Sequence, residues 1–467
     1  MANEKRSIHG QWSSSLAFIL AATGSAVGLG NIWRFPYMLG ENGGGAFLLV
    51  YLACVLLIGI PVMMAEISIG RRARQSPINA LDSLAQEEGR TRNWRLLGWL
   101  GVLAGFFILS FYSVVAGWIL DYTVKALLGA FEGLTVPQAE ATFGHLLGSP
   151  WVLALWHTLF LLLCYAIVAR GVEAGLERAV RWLMPLLFLM MLALVVYGMI
   201  YGDFARTLTF MFSPDWSRLS ATGVLEAMGQ AFFTLSLGMG AIMVYGSYLP
   251  SGASIPRTTI AIAVADTLIA ITAGLAVFPV VFGELGEVSQ KVGLIFHSLP
   301  VAFGGIPMGS LFGFLFFLLV SFAALTSGIS LLEPITAYFV ENRGWARPKA
   351  VGITGAIIWL LGLGSVLSFN AWSGFAPLAF LGATADGPGP FAGMTVFDIL
   401  DGLTANVMLP LGGLGIAVFV GWMMKRQSVI EEIGLGDSGI FRTWWWLVRT
   451  LTPAAVVLIL LNSVGVF

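Results

Sequence analysis

The feature that most limits how this chain can fold is a series of eleven long apolar segments. They occupy about residues 13–38, 42–70, 95–128, 150–170, 176–201, 222–249, 257–283, 309–341, 349–368, 396–424 and 444–466. A helix needs roughly 20 apolar residues to cross a bilayer, and a span must satisfy its own backbone hydrogen bonds there. The sequence therefore predicts an all-α polytopic membrane protein with a single domain over 1–467, and the segments are called spans 1 to 11.

Composition supports a membrane protein and excludes several other classes. The chain is 58% hydrophobic and only 10% charged, with a net charge of −1 and no basic tail, so no nucleic-acid partner is expected. The first apolar segment carries Asn31 and Arg34 and has no small-residue cleavage site, so it is not a cleaved signal peptide. Cys54 and Cys164 lie in apolar runs and are interpreted as packed thiols rather than a disulfide.

The distribution of basic residues predicts the orientation in the membrane. With the N-terminus in the cytoplasm, 19 of the 24 Lys and Arg residues fall on the inner side. The outer side then receives Lys125, Arg206, Arg218 and Lys291, and Arg34 lies within span 1. Positive charge is retained on the cytoplasmic side, so we expect a cytoplasmic N-terminus and, after eleven spans, an outer C-terminus in the inner membrane of a bacterial cell.

Span 1 is interrupted by the stretch from Thr23 to Pro36, which is rich in glycine and contains Asn31. Glycine costs roughly 1 kcal/mol relative to alanine inside a helix, so this span is predicted to unwind near residues 26–30. Unpaired backbone groups at this depth must line a cavity or coordinate something. Freed carbonyls suit a hard cation, and the following helix N-terminus suits an anion. The alternative is a glycine-rich packing seam between helices.

A second interrupted helix lies five spans later, where Gly229 to Gly240 again combines Thr, Ser and glycines in mid-membrane. Two broken helices in corresponding positions are typical of an inverted-repeat transporter; the leucine transporter is a standard example of this pattern. We therefore predict a first five-helix repeat over 13–201, a second, inverted one over 222–424, and an additional C-terminal helix over 444–466.

Four motifs resemble those of the bacterial neurotransmitter:sodium symporter family, in order and spacing, over essentially the whole chain. They are Gly24-Ser-Ala-Val-Gly-Leu-Gly-Asn-Ile-Trp-Arg-Phe-Pro36, Glu41-Asn-Gly-Gly-Gly-Ala-Phe47, Phe232-Phe-Thr-Leu-Ser-Leu-Gly238 and Ala323-Ala-Leu-Thr-Ser327. The resemblance implies the leucine-transporter fold, with discontinuous helices 1 and 6. It also implies a hydrophobic amino-acid transporter that works by alternating access and uses sodium at two sites.

The resemblance assigns the sodium sites residue by residue. Sodium 1 would be bound by Ala26, Asn31, Thr234 and Asp266, where Asp266 replaces an amide of the leucine transporter. Sodium 2 would be bound by Gly24, Val27, Ala323, Thr326 and Ser327. All of these supply oxygen ligands, which suit a hard cation.

The resemblance also places the amino-acid substrate between the two breaks. The carboxylate would meet Leu29, Gly30 and Tyr112, and the amine would meet Ala26, Phe233, Thr234 and Ser236. The side chain would be surrounded by Val27, Ile108, Phe233, Met239, Ser327 and Leu331. Gly28 stands where monoamine members carry an aspartate, which leaves room for a substrate that brings its own carboxylate. Met239 is flexible, so we expect large apolar and aromatic L-amino acids.

Gates are implied on both sides of this pocket. Outside, Arg34 would pair with Asp401, with Asp398 as the runner-up, and Tyr112 and Phe233 would form a thin lid near Gln230. Inside, the family pairs an N-terminal arginine with an acid that here is Glu341. The arginine position holds His9, so His9, Lys5 and Arg6 all remain candidates for the inner cation.

The leading functional hypothesis is sodium-coupled import of L-amino acids. We expect it to be chloride-independent, because the serine that helps bind chloride in animal members is Ala270 here and Asp266 already supplies a negative charge. A proton-coupled carrier or exchanger on the same fold is the alternative, with Asp266 as its ionisable group. An intramembrane enzyme is disfavoured, because the four histidines have no ligand spacing and the glycine motifs follow no strand. The expected partners are the substrate, sodium and the lipid bilayer, and the protein is expected to be a monomer or weak dimer.

Overall fold

A computed structural model of the chain describes residues 7–286, 293–381 and 391–463. Within these ranges nine helices are long and apolar enough to cross a membrane, and a tenth crossing is a pair of helices bent by 55°. The spans are Ser15–Ala26 with Gly30–Glu41, Gly45–Ala73, Arg92–Leu127, Pro150–Val168, Val172–Tyr201, Ala221–Thr234 with Ala241–Ser247, Ile255–Leu285, Gly309–Arg343, Arg347–Ser368, Val396–Met423 and Gly439–Asn462. The all-α polytopic prediction is confirmed.

Span 6 is a predicted crossing that is not formed by one helix of membrane-spanning length. Its two halves, Ala221–Thr234 and Ala241–Ser247, are each too short to cross a bilayer alone. Spans 1 and 6 are therefore both discontinuous, as predicted from their glycines. The division into repeats over 13–201 and 222–424 remains a prediction.

Spans 3 and 8 form the centre of the molecule. Of their most apolar stretches, 83% and 78% of residues are buried within the protein, whereas the value for span 4 is 33%. Spans 4, 5, 9 and 11 therefore present much of their surface to lipid. The broken spans 1 and 6 pack inside, and their unwound residues are covered by neighbouring helices, as their free backbone groups require.

Five short helices lie in the connections, where the sequence indicated only loops. They are Pro77–Glu87, Val136–Leu147, Phe204–Phe212, Leu294–Gly305 and Arg426–Ile433. In the connection after the first of these helices, Glu88 is buried, whereas Asp82 and Arg92 form an exposed ion pair of 2.6 Å. Lys291 lies outside the described residues.

Candidate substrate and sodium sites

Span 1 unwinds in the glycine-rich stretch, where the sequence predicted a break in the helix. Its first helix ends at Ala26, and Val27 is extended, with φ −73° and ψ 109°. The chain resumes as a π-helical turn over Gly30–Arg34 and an α-helix over Phe35–Glu41. The break thus leaves backbone groups between Val27 and Leu29 outside regular helix, in the middle of the protein.

Span 6 is interrupted by residues in left-handed conformations. Ser236, Gly238 and Gly240 have φ of 54°, 79° and 75°. Left-handed geometry is easy for glycine and uncommon for serine, so Ser236 is held by its surroundings: its hydroxyl donates to the Ser25 carbonyl at 2.8 Å. The Gly238 N–H donates to Glu66 Oε1 at 2.6 Å, so this buried acid binds backbone at the break.

A small cavity of about 380 Å³ of empty volume lies between the two breaks. Most of the predicted substrate residues line it. The lining residues are Ser25, Ala26, Gly28, Leu29, Gly30, Ile108, Tyr112, Phe233, Ser236, Met239, Ser327, Ser330 and Leu331. Val27 and Thr234, which were also predicted, do not line the cavity and lie beside it in the two breaks.

Gly28 lies at a close approach of three helices. A Cβ atom on Gly28 would be 2.6 Å from Ser327 Oγ and 3.4 Å from the Tyr112 hydroxyl oxygen. Real Cβ atoms do not come as close as 2.6 Å to another heavy atom, so only glycine fits without a shift of Ser327. The absence of a side chain at this position is therefore a geometric requirement of the site.

Three of the four residues predicted for sodium 1 meet around one buried carboxylate, that of Asp266. Asn31 Nδ2 donates to Asp266 Oδ1 at 2.8 Å, and Thr234 Oγ1 is 3.0 Å from Asp266 Oδ2. Asn31 Oδ1 accepts the Gly28 N–H at 3.2 Å. All three side chains are buried. A carboxylate, an amide oxygen, a hydroxyl and freed carbonyls form an oxygen-rich set suited to a hard cation.

The residues predicted for sodium 2 lie where span 8 faces the break in span 1. Ser327 Oγ is 3.3 Å from the Val27 carbonyl oxygen, and Thr326 Oγ1 is 3.0 Å from that of Ala323. A Cβ atom on Gly24 would be 3.3 Å from Thr326 Cβ and 3.1 Å from Met184 Sδ of span 5. The predicted oxygens are thus adjacent, and span 5 packs directly against them.

No cluster of three or more His, Cys, Asp or Glu side chains occurs in the described part of the chain. The two candidate sites are accordingly built from carbonyls, hydroxyls, an amide and one carboxylate. That ligand chemistry fits an alkali cation better than a transition metal.

A larger outer cavity, of about 1140 Å³ of empty volume, lies beyond the small one. Leu29, Gly30, Tyr112 and Phe233 line both cavities and form the wall between them. Gln230 supports this wall, because its Nε2 donates to the Gly30 carbonyl at 2.9 Å.

The predicted outer ion pair is not formed. Arg34 and Asp401 both line the outer cavity, but they are not within the 4 Å of an ion pair. The Arg34 guanidinium instead lies 5.1 Å from the ring centroid of Phe233. Asp398, the runner-up, caps its own helix by accepting from Thr395 N at 2.9 Å.

On the side that the sequence predicts to be cytoplasmic, His9 is the candidate inner cation that contacts the predicted acid. His9 Nε2 lies 3.1 Å from Glu341 Oε1. Next to it Trp12 is fully buried, donating from its backbone to Tyr248 O at 2.9 Å and from its ring to Tyr245 O at 3.0 Å. Lys5 and Arg6 lie outside the described residues. Residues 9–12 therefore pack against spans 6 and 8 at the end of span 1 that lies opposite the outer cavity.

A second acid holds the same N-terminal segment. Glu177 of span 5 accepts from Ser13 N at 2.9 Å and from Ser13 Oγ at 2.5 Å, and pairs with Arg181 at 2.5 Å. Residues 9–13 are thus attached to span 8 through His9 and to span 5 through Ser13.

Sequence reasoning missed two cavity residues, Ser25 and Ser330. The Ser25 hydroxyl donates to Ser330 Oγ at 2.8 Å, and Ser330 Oγ donates to the Ser327 carbonyl at 2.8 Å. A signal was available, because Ser330 follows Ser327 by three residues and so shares its helix face.

Comparison with known proteins agrees with this geometry. The family model described as "Sodium:neurotransmitter symporter family" matches residues 9–132 and 134–375. The chain belongs to this family. Its members are transporters rather than enzymes, and the chain is a multi-pass, sodium-coupled membrane transporter with the leucine-transporter fold.

Relatives match along nearly the whole chain. An uncharacterized sodium-dependent transporter of Bacillus subtilis is 36% identical and covers 98% of each chain. One of Haemophilus influenzae is 32% identical and covers 97% of each. Among solved structures, MhsT in complex with L-phenylalanine superposes with a TM-score of 0.85 at 42% identity, covering 97% of this chain and 99% of that one.

Proposed function

We propose that this symporter imports large hydrophobic and aromatic L-amino acids together with sodium bound at two sites, without chloride. The observation that carries the proposal is the small cavity between the two helix breaks. Ile108, Phe233, Met239 and Leu331 give it an apolar wall, and the freed backbone of span 1 borders it. An apolar wall suits the substrate side chain, and the helix beginning at Gly30 suits its carboxylate.

The substrate class is also supported by the solved relative, which was crystallised with L-phenylalanine. Met239 is only 5% exposed and lies in the unwound turn between Gly238 and Gly240. An unbranched thioether repacks around differently shaped side chains, so aliphatic and aromatic substrates can share one site.

Independence from chloride follows from charge. Asp266 lies within hydrogen-bond distance of Asn31 and Thr234, two candidate sodium 1 ligands. A fixed carboxylate there repels an added anion and replaces the charge that chloride would supply.

The proposed orientation places the N-terminus inside and the C-terminus outside an inner membrane. For the oligomeric state we keep the sequence-based expectation of a monomer or weak dimer.

The proposal is tested by uptake of L-phenylalanine, L-leucine and glycine into proteoliposomes. We expect sodium-dependent uptake of the first two that is competed poorly by glycine and unchanged when gluconate replaces chloride. Replacing sodium by choline under an inward proton gradient checks the proton-coupled alternative. A screen in which only glycine or alanine is taken up contradicts the substrate class, and collapse in gluconate contradicts chloride independence.

The double substitution of Asp266→Asn with Ala270→Ser gives a sharper test of the charge argument. It removes the fixed negative charge and adds a hydroxyl at the family's chloride position. We expect weaker sodium dependence that is partly restored by chloride. Ala270→Ser alone is the matched control and should remain chloride-independent.

A further inference from the structure

The contact between His9 and Glu341, on the predicted cytoplasmic side, contains a titratable residue where the family resemblance implies a permanent cation. His9 is joined to Glu341 at 3.1 Å, and their side chains are only 2% and 8% exposed. Arginine does not lose its proton in proteins, whereas histidine ionises within the physiological pH range. The charge of this contact is therefore variable in this chain.

The surroundings of Glu341 fix the direction of the hydrogen bond. Glu341 Oε1 also accepts from Ser76 N at 2.7 Å, and Oε2 accepts from Ser76 Oγ at 2.5 Å and from Asn79 Nδ2 at 2.6 Å. With donors on both oxygens the carboxyl group is held as an ionised acceptor, so His9 Nε2 must donate. Adding a proton at Nδ1 then turns a hydrogen bond from a neutral imidazole into an ion pair with the carboxylate, which adds the attraction of opposite charges.

The other charged and titratable groups near His9 come from each neighbouring element. The Tyr248 ring lies 5.7 Å from the imidazole, and its hydroxyl donates to Glu333, which is paired with Arg347. Glu173 of span 5 lies beside Gly10. Arg74 and Asp82 border the same cytoplasmic cavity as Glu341, and the Arg74 guanidinium donates to backbone carbonyls. Among these carboxylates, only Glu341 contacts the His9 ring within the part of the chain that the structure describes.

We propose that His9 is a cytoplasmic proton-binding site whose occupancy controls opening of the inner gate. The inference rests on the proposed function in one respect, because import of a substrate requires the cytoplasmic side to open. With the proton bound, the imidazolium pairs with Glu341 and stabilises the sealed state. Without it, the carboxylate is bound only by a neutral imidazole, so the segment detaches more easily. Because the sealed state binds the proton more tightly than the open one, raising the cytoplasmic pH favours opening.

The test compares wild type with His9→Arg, which keeps the charge, and His9→Gln, which keeps a donor without charge. Sodium-driven uptake is measured in proteoliposomes whose internal pH is set between 6 and 8 at constant external pH. We expect wild-type turnover to rise about fivefold across this range, at the low end of typical coupling between sites. His9→Arg should be slow and His9→Gln fast, each with a flat profile. His145→Gln, on an exposed outer helix, is the matched control and should keep the wild-type profile.

Hydrogen exchange of residues 7–14 in the purified full chain gives a readout that does not depend on transport. At each pH the wild type is compared with His9→Arg, so that the chemical effect of pH on exchange cancels. Wild type should match His9→Arg at pH 6 and exchange several-fold faster at pH 8. A wild type that matches His9→Gln at every pH overturns the proton site. Loss of sodium-dependent uptake with this exchange pattern intact contradicts only the proposed function.

Discussion

Gly28→Ala tests whether the substrate pocket and sodium site 2 share one contact. The new Cβ would be 2.6 Å from Ser327 Oγ, so the serine must rotate. Rotation breaks its contacts of 3.3 Å to the Ser25 and Val27 carbonyls and removes a candidate sodium ligand. Overpacking costs about 1–3 kcal/mol and a lost hydrogen bond about 1 kcal/mol. A loss of about 2 kcal/mol corresponds to about 30-fold weaker binding.

The assay is equilibrium binding of labelled L-phenylalanine to purified protein, titrated with sodium. We expect the affinity for both the amino acid and sodium to fall in Gly28→Ala. Gly229→Ala is the control, since nothing lies within 4 Å of the position its Cβ would take. Adding Ser327→Ala removes the clashing oxygen, so the double variant should bind no worse than Ser327→Ala alone. Near-normal binding by Gly28→Ala, or additive losses in the double variant, would refute the shared contact.

Three further predictions concern neighbouring parts of the transport machinery. Pro185 lies inside span 5, next to the Met184 that packs against Gly24. Pro185→Ala should restore a helical hydrogen bond and therefore slow transport turnover while sodium binding stays nearly unchanged. Hydrogen exchange of residues 175–185 should be slower in this variant than in wild type. Met239→Phe should stiffen the pocket and shift preference toward smaller substrates, measured by competition binding; unchanged preference would contradict this. Ser330→Ala leaves the Ser25 hydroxyl without its acceptor, at a cost of about 1–3 kcal/mol, and should lower the thermal unfolding temperature measured without ligand.

The sequence was most informative where local chemistry decides structure. Both helix breaks could be predicted because glycines such as Gly28 and Gly238 are costly in a helix whatever surrounds them. The surface helix Pro77–Glu87 was missed, since a short amphipathic segment forms only through its contact with span 3. The ion pair of Arg34 with Asp401 was predicted but is not formed, because the sequence does not fix the distance between two side chains on different helices that face one cavity.

The N-terminal segment behaves as a bivalent ligand of its own protein. His9 binds Glu341 at the end of span 8, and Ser13, four residues later, binds Glu177 at the start of span 5. When one attachment breaks, the other keeps its partner at a high effective concentration, so rebinding is fast. Release of the N-terminal segment then requires both contacts to be open at the same time, so the two contacts act cooperatively. Spans 5 and 8 consequently separate from this segment in a single event rather than by gradual loosening.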